Sequence, residues 1–306
     1  MTTHLDASAP TRYRPLGIAR MLVRLAMIGA VLLVVVGGFA YLGGWLTRDV
    51  SPGRFTDAFQ QVNGVHPGFR RNHAKGLGVS GFFESNGNGR RVSKAVVFEP
   101  GRVPVLGRFS LSGGRPYAAD AATDVRGLGL QFSLPDGELW RTAMINLPLF
   151  PFRTPEALYE QLIASRPDPA TGKPNPAALK AFIDRHPETA QALGFLKTQP
   201  IPSGFDNTTF HGLNAFWFVD ASGRATPVRF ILTPLQPFEP DQGGAGRDKN
   251  YLFDGLITQM RRQPLHWRLV LILGRTGDPT RDATVAWPAD REQLDVGTVK
   301  IGRAHV

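Results

Sequence analysis

Cysteine is absent from the 306 residues, which excludes disulfides, iron–sulfur clusters, thiolate zinc and cysteine nucleophiles. Histidine, carboxylate, hydroxyl and cofactor chemistry remain. No H-E-x-x-H or G-x-S-x-G segment occurs, the GRFS and GLG segments are too short for a phosphate loop, and His66, His186, His211 and His266 lack metal-ligand spacing. No run of five or more basic residues occurs, so the net charge of +10 reads as a solubility feature and nothing points to nucleic acid. No unit repeats evenly, which argues against a solenoid.

What is present suits a large globular region. The chain is 42% hydrophobic, enough for a core, and its 25 prolines and 34 glycines favour short strands and loops over a helical bundle. From Leu25 to Leu46 no charge occurs, a stretch long enough to cross roughly 30 Å of hydrocarbon at about 1.5 Å per residue. Arg12, Arg14, Arg20 and Arg24 precede it, while Arg48 and Asp49 follow. The positive-inside rule therefore places a basic cytoplasmic segment over 1–24, an uncleaved anchor over 25–46 with Tyr41 and Trp45 at its outer interface, and the rest outside. A cleaved signal peptide is the competing reading, but the apolar stretch is too long and no small-x-small site closes it.

Beyond Ser51 short apolar runs alternate with turn residues. The stretches 76–84, 94–100, 105–112, 127–134, 215–220, 227–232 and 266–274 read as strands of an antiparallel sheet or barrel. Helical spacing covers 155–196 in three pieces, with another helix over 250–261. That order predicts an α+β fold.

Three constellations could carry chemistry. His73 follows Arg70 and Arg71 and precedes a strand thinned by Gly76, Gly78 and Gly81, where a flat ligand or another backbone could approach. Arg108 and Ser110 lie two apart, on one face of a strand. Asn146 precedes a wall of prolines and phenylalanines, where its amide needs a partner or a ligand. Each has a plainer alternative: a surface or core histidine, an edge-strand arginine in water, an asparagine in a turn.

The segments FRRNHAKG, GRFS, DVRGLGLQFS with its DGELW, INLPLFPFR and FDNTTFHGLNAFWFVD resemble, in the same order, the signature segments of catalases, and especially of the short catalase-related peroxidases. The resemblance runs from about Gln60 to Val299. It implies an eight-stranded antiparallel β-barrel with flanking helices over 51–300, holding haem b. By motif position it makes His73 the distal acid/base, Ser110 its hydrogen-bond partner, Asn146 the distal asparagine, and Arg70 and Arg108 the partners of the haem propionates. The implied activity is reduction of hydrogen peroxide or organic hydroperoxides with a small-molecule electron donor, on the periplasmic side of the inner membrane. Alternatives on the same scaffold are a hydroperoxide-rearranging lyase, resembling allene oxide synthases, or a haem-binding protein without turnover.

Two departures from the family pattern stand out. Asn72 occupies a place where full catalases usually carry valine, which favours peroxidase over catalase action. The family holds its iron through a tyrosine downstream of a WP segment, here Val285–Pro288, and none of Tyr13, Tyr41, Tyr117, Tyr159 and Tyr251 matches it. The final IGRAHV (301–306) matches the in-frame translation of a sequencing adaptor, so the natural chain is expected to continue in place of this tail.

Overall fold

The computed structural model describes residues 17–43, 50–243 and 246–305, and the chain divides into two compact units, Met1–Ser51 and Pro52–Val306. In the first, helix α1 (Ile18–Leu42) contains an 18-residue stretch of mean hydropathy 2.5 and has no buried residue. At 25 residues it is about 37 Å long, enough for a bilayer. It starts seven residues before the predicted stretch and takes in Arg20 and Arg24, and it ends where the Gly43 N–H donates to Phe39 O at 2.8 Å. Arg12, Arg14, Trp45, Arg48 and Asp49 lie outside the described residues.

The second unit is a closed barrel of eight antiparallel strands in chain order: β1 (Gly76–Ser85), β2 (Gly101–Leu111), β3 (Arg126–Ser133), β4 (Leu139–Ile145), β5 (Phe210–Val219), β6 (Ala225–Pro234), β7 (Leu265–Leu273) and β8 (Glu292–His305). Closure comes from β1 pairing with β8, which leaves no free sheet edge. Helix α2 (Pro52–Asn63) precedes the barrel, α3 (Pro155–Ala164), α4 (Pro176–Arg185) and α5 (Pro187–Thr198) fill the β4–β5 connection, and α6 (Tyr251–Arg262) joins β6 to β7. Proline opens α3, α4 and α5, and Thr154 and Asn175 cap α3 and α4 by accepting backbone N–H bonds.

Strict alternation decides what faces where. Leu77, Phe109, Leu128 and Met144 lie opposite one another on β1 to β4, and all are buried inside the barrel. Phe109 meets the rings of Phe205, Phe210 and Trp267 at 5.3–5.9 Å. One residue further along, Gly76, Ser110, Gly127, Ile145 and His211 form the corresponding row across β1 to β5 on the outer face. A second outer row holds Gly78, Arg108, Gly129 and Ala143. The wall is loosest between β4 and β5, joined only by the pair Ile145↔His211.

The predicted strand over 94–100 is a short 3-10 turn at Val96–Phe98. Ser93 Oγ accepts from the Ala95 N–H at 3.2 Å and Phe98 turns in against Trp140 and Phe218, so this apolar run packs as a plug. Strands β4 and β8 and helix α2 carry weaker patterns and were not expected. β8 takes in most of the tail set apart in the sequence: Ile301 is fully buried and pairs with Gly81 and Leu265.

Candidate active site on the outer face of the barrel

His73 sits just before β1 with φ of 52°, the one non-glycine residue in left-handed backbone among the described residues. That conformation costs free energy and persists only where its surroundings impose it. The His73 N–H donates to Asn72 Oδ1 at 3.0 Å, and the same oxygen accepts from the Gly113 N–H at 2.9 Å. Arg108 donates from its two terminal nitrogens to the carbonyls of His73 at 2.9 Å and Ala74 at 3.1 Å. A Cβ on Gly76 would lie 2.4 Å from Arg108 Cζ, so only glycine lets the guanidinium fold across this turn.

The imidazole is placed just as firmly. His73 Nδ1 lies 3.1 Å from Ser110 Oγ, and in the tautomer where Nδ1–H donates to that hydroxyl, Nε2 is the basic nitrogen. Beneath it, a Cβ on Gly127 would stand 3.0 Å from Ser110 Oγ and 3.2 Å from His73 Cε1. Burial, then the charges of Arg108 and Arg70, push the His73 pKa below its ordinary value. The ring is therefore neutral near pH 7 and able to accept a proton.

His73, Ser110 and Arg108 open onto a cavity of about 410 Å³. Gly127, Gly129 and Ala143 supply side chains small enough to make a flat floor, Ile145, Phe150 and Leu213 add apolar wall, and Arg70 adds a second cation. A flat, largely apolar ligand bearing carboxylates fits this side of the cavity. Arg108 keeps further N–H groups beyond the two it spends on carbonyls, and Arg70 is exposed, so both can meet carboxylates. No tyrosine lines the cavity among the described residues: Tyr117 is exposed, Tyr159 packs against Phe55 and Tyr251 opens α6.

Of the residues expected from sequence, His73, Ser110, Arg108 and Arg70 come together here. Asn146 stands beside this group without lining the cavity: it follows Ile145, its Oδ1 accepts from the Arg126 N–H at 2.9 Å, and its own N–H donates to Arg126 O at 3.0 Å. Asn72 proves to be the turn's hydrogen-bond acceptor. Arg126 itself, unforeseen, is fully buried and donates to Pro202 O, Gly204 O and Thr208 Oγ1 at 2.6–2.9 Å. His211 was also missed. Burial lowers its pKa to about 4, it lines the cavity, and its ring makes no hydrogen bond among the described residues. Only the strand register reveals it: His211 lies within the FDNTTFHGLNAFWFVD segment, but nothing local there sets it beside His73. No group of three histidine, aspartate or glutamate side chains among the described residues could hold a metal ion.

An antiparallel barrel carries on its outer face a neutral, hydroxyl-tethered histidine over a glycine floor, with room beside it for a flat ligand. The chain belongs to the catalase family, whose model matches residues 54–267, and it is an oxidoreductase acting on peroxide. It is 36% identical to the catalase-related peroxidase of Synechococcus elongatus over 92% of this chain and 82% of that one. Against the catalase-related peroxidase of Mycolicibacterium paratuberculosis the identity is 31%, over 84% of this chain and 81% of that protein. A bacterial catalase of solved structure has the same fold, with a TM-score of 0.69 at 22% identity over 77% of this chain and 48% of that one.

Proposed function

We propose that the protein is a haem b peroxidase that reduces hydrogen peroxide or organic hydroperoxides, with His73 as the acid/base. The observation that carries this reading is the His73–Ser110 pair standing over Gly127 inside the cavity. Gly127, Gly129 and Ala143 would lie against the ring of the haem, with Arg108 and Arg70 toward its propionates. The haem supplies the redox centre at which the peroxide is reduced. His73 Nε2 takes the proton from one peroxide oxygen and returns it to the other, which makes water or an alcohol the leaving group. Ser110 holds the ring so that this nitrogen, and not Nδ1, faces the peroxide. Asn146, with its carbonyl end anchored by the Arg126 N–H, has its NH2 end as the remaining donor and would orient the peroxide from beside Ile145. The depressed His73 pKa keeps the base neutral.

Helix α1 supports a single membrane span, and the basic residues before it support a cytoplasmic N-terminus with the barrel on the periplasmic side of the inner membrane.

The direct test is His73→Ala in the haem-loaded chain, followed by stopped-flow absorbance after mixing with peroxide. The peroxide-driven change of the Soret band is expected to slow by roughly 10²–10⁴-fold. An unchanged rate sinks the assignment, and turnover of a fatty-acid hydroperoxide without any electron donor would replace it with a rearranging lyase.

A further inference from the structure

Between α2 and β1 the surface carries apolar rings and cations together. Gly64 and Gly68, at φ of 84° and 81°, turn this loop twice, and Val65 and Phe69 stand out from it, 67% and 42% exposed. Tyr117, 70% exposed, comes in from the loop after β2 and meets the Phe69 ring edge-on at 5.4 Å and the His66 ring at 6.5 Å. Arg70, Arg71 and Arg115 are exposed beside these rings, and none of them makes an ion pair among the described residues. No acidic residue occurs from 58 to 83 or from 100 to 119. Apolar residues exposed singly are ordinary. Touching aromatic rings and an aliphatic side chain rimmed by unpaired arginines are the composition of a protein surface at a membrane interface, where rings lie at headgroup level and guanidinium groups meet phosphates.

The chain itself brings a bilayer within reach. Residues 43–51 separate the end of α1 from the start of α2, a span of at most about 35 Å. Helix α2 is about 18 Å long and ends at Asn63, directly before the patch. Resting on the reading of α1 as a membrane span, we propose that this patch docks on the surface of the same bilayer. Val65, Phe69 and Tyr117 lie among the headgroups, and Arg71 and Arg115 meet the phosphates of anionic lipids. Tethering by α1 keeps the patch at high effective concentration, so a contact too weak to hold the barrel by itself persists. Arg70 lines both the patch and the cavity of His73, and docking therefore holds that edge of the cavity at the bilayer.

The lack of cysteine makes the test direct, because one introduced cysteine carries one nitroxide label. The full chain is placed in bilayers of mixed phosphatidylglycerol and phosphatidylcholine. It is labelled in turn at Val34→Cys in α1, at Val65→Cys, and at Ala221→Cys in the turn after β5, at the far end of β1 from the patch. Collisions with oxygen, which concentrates in lipid, and with a water-soluble nickel chelate report where each label sits. The labels at 34 and 65 are expected to favour oxygen, and the label at 221 the chelate. Arg71→Gln together with Arg115→Gln lowers the docking equilibrium read at 65 about thirtyfold, the weight of two cations near an anionic surface. Pure phosphatidylcholine also lowers it, and neither change moves the label at 34. A label at 65 that stays in water while the one at 34 lies in lipid overturns the proposal. So does a spectrum at 65 broadened by a second label, which means that two copies of the chain meet at this face instead. Should the label at 34 stay in water, the anchor reading falls, and the label at 65 with added vesicles still decides whether the patch docks on lipid.

Discussion

His73 is held by four neighbours at once: Asn72 on its N–H, Arg108 on its carbonyl, Ser110 on its ring nitrogen and Gly127 under its ring. Restraint at every point is what maintains a left-handed histidine, and it makes the site sensitive to a neighbour that adds bulk. Gly127→Val puts methyl groups where His73 and Ser110 now stand, and the expected result is a fall in peroxide reactivity comparable to that of His73→Ala, read by the same stopped-flow measurement. Ser110→Ala frees the ring instead, and should broaden the acid limb of the pH–rate profile with a loss of about 1 kcal/mol in stability, measured by urea unfolding. The two histidines also set a pH dependence of folding. Both have folded-state pKa values below the unfolded 6.5, so below pH 6.5 the unfolded chain binds protons that the folded chain refuses. Stability contributed by the neutral rings is full above pH 6.5 and is lost as pH falls from there. For His211, whose folded pKa is about 4, the loss approaches about 3 kcal/mol between pH 6.5 and 4. Urea midpoints measured across that interval should flatten in His211→Phe; an identical slope would remove His211 as the cause.

At the scale of elements, β2 shows how one strand serves two purposes. Phe109 points into the core while Arg108 and Ser110 on either side point at the cavity, so the core and the candidate site share a backbone. Phe109→Ala removes a fully buried ring that meets three others, and is expected to cost about 3–5 kcal/mol in urea unfolding. The alternation that places these three residues was legible from GRFS alone, since period-two side-chain placement needs no knowledge of the partner strand. Strands β1, β2, β3, β6 and β7 were visible for the same reason: each carries a buried face dense in Val, Leu, Ile and Phe. Strand β4 was not, because its burial is weak and mixed, and β8 was not, because Gly297 and Gly302 interrupt it and Gly297 adopts φ of 141°. The 94–100 run went the other way, its hydrophobicity serving a turn that plugs the barrel, which no local pattern distinguishes from a strand.

For the molecule as a whole, the two units imply separable tasks. A chain beginning at Pro52 contains every described residue of the cavity and all eight strands. It is expected to stay in solution after high-speed centrifugation while the full chain sediments with membranes until detergent is added, and to melt within a few degrees of the detergent-solubilised full chain. Sedimentation of the shortened chain with membranes would show that α1 is not what holds the protein there. Closure of the barrel matters to this expectation, because a sheet without a free edge has no strand to pair with another copy once α1 is removed.

By itself the sequence determined the apolar helix, the barrel's principal strands and the grouping of His73, Ser110, Arg108 and Arg70, because length, hydrophobic period and motif order are local or collinear properties. Tertiary structure alone decided the rest. Cross-strand register put His211 in the row of Ser110 and Gly127 although a hundred residues separate it from Ser110. Packing turned Asn72 into the acceptor that holds the His73 turn, and buried Arg126 under Asn146. Which side chains share a face is written in each strand, but which strands meet, and at which residue, depends on closing the whole barrel around one core.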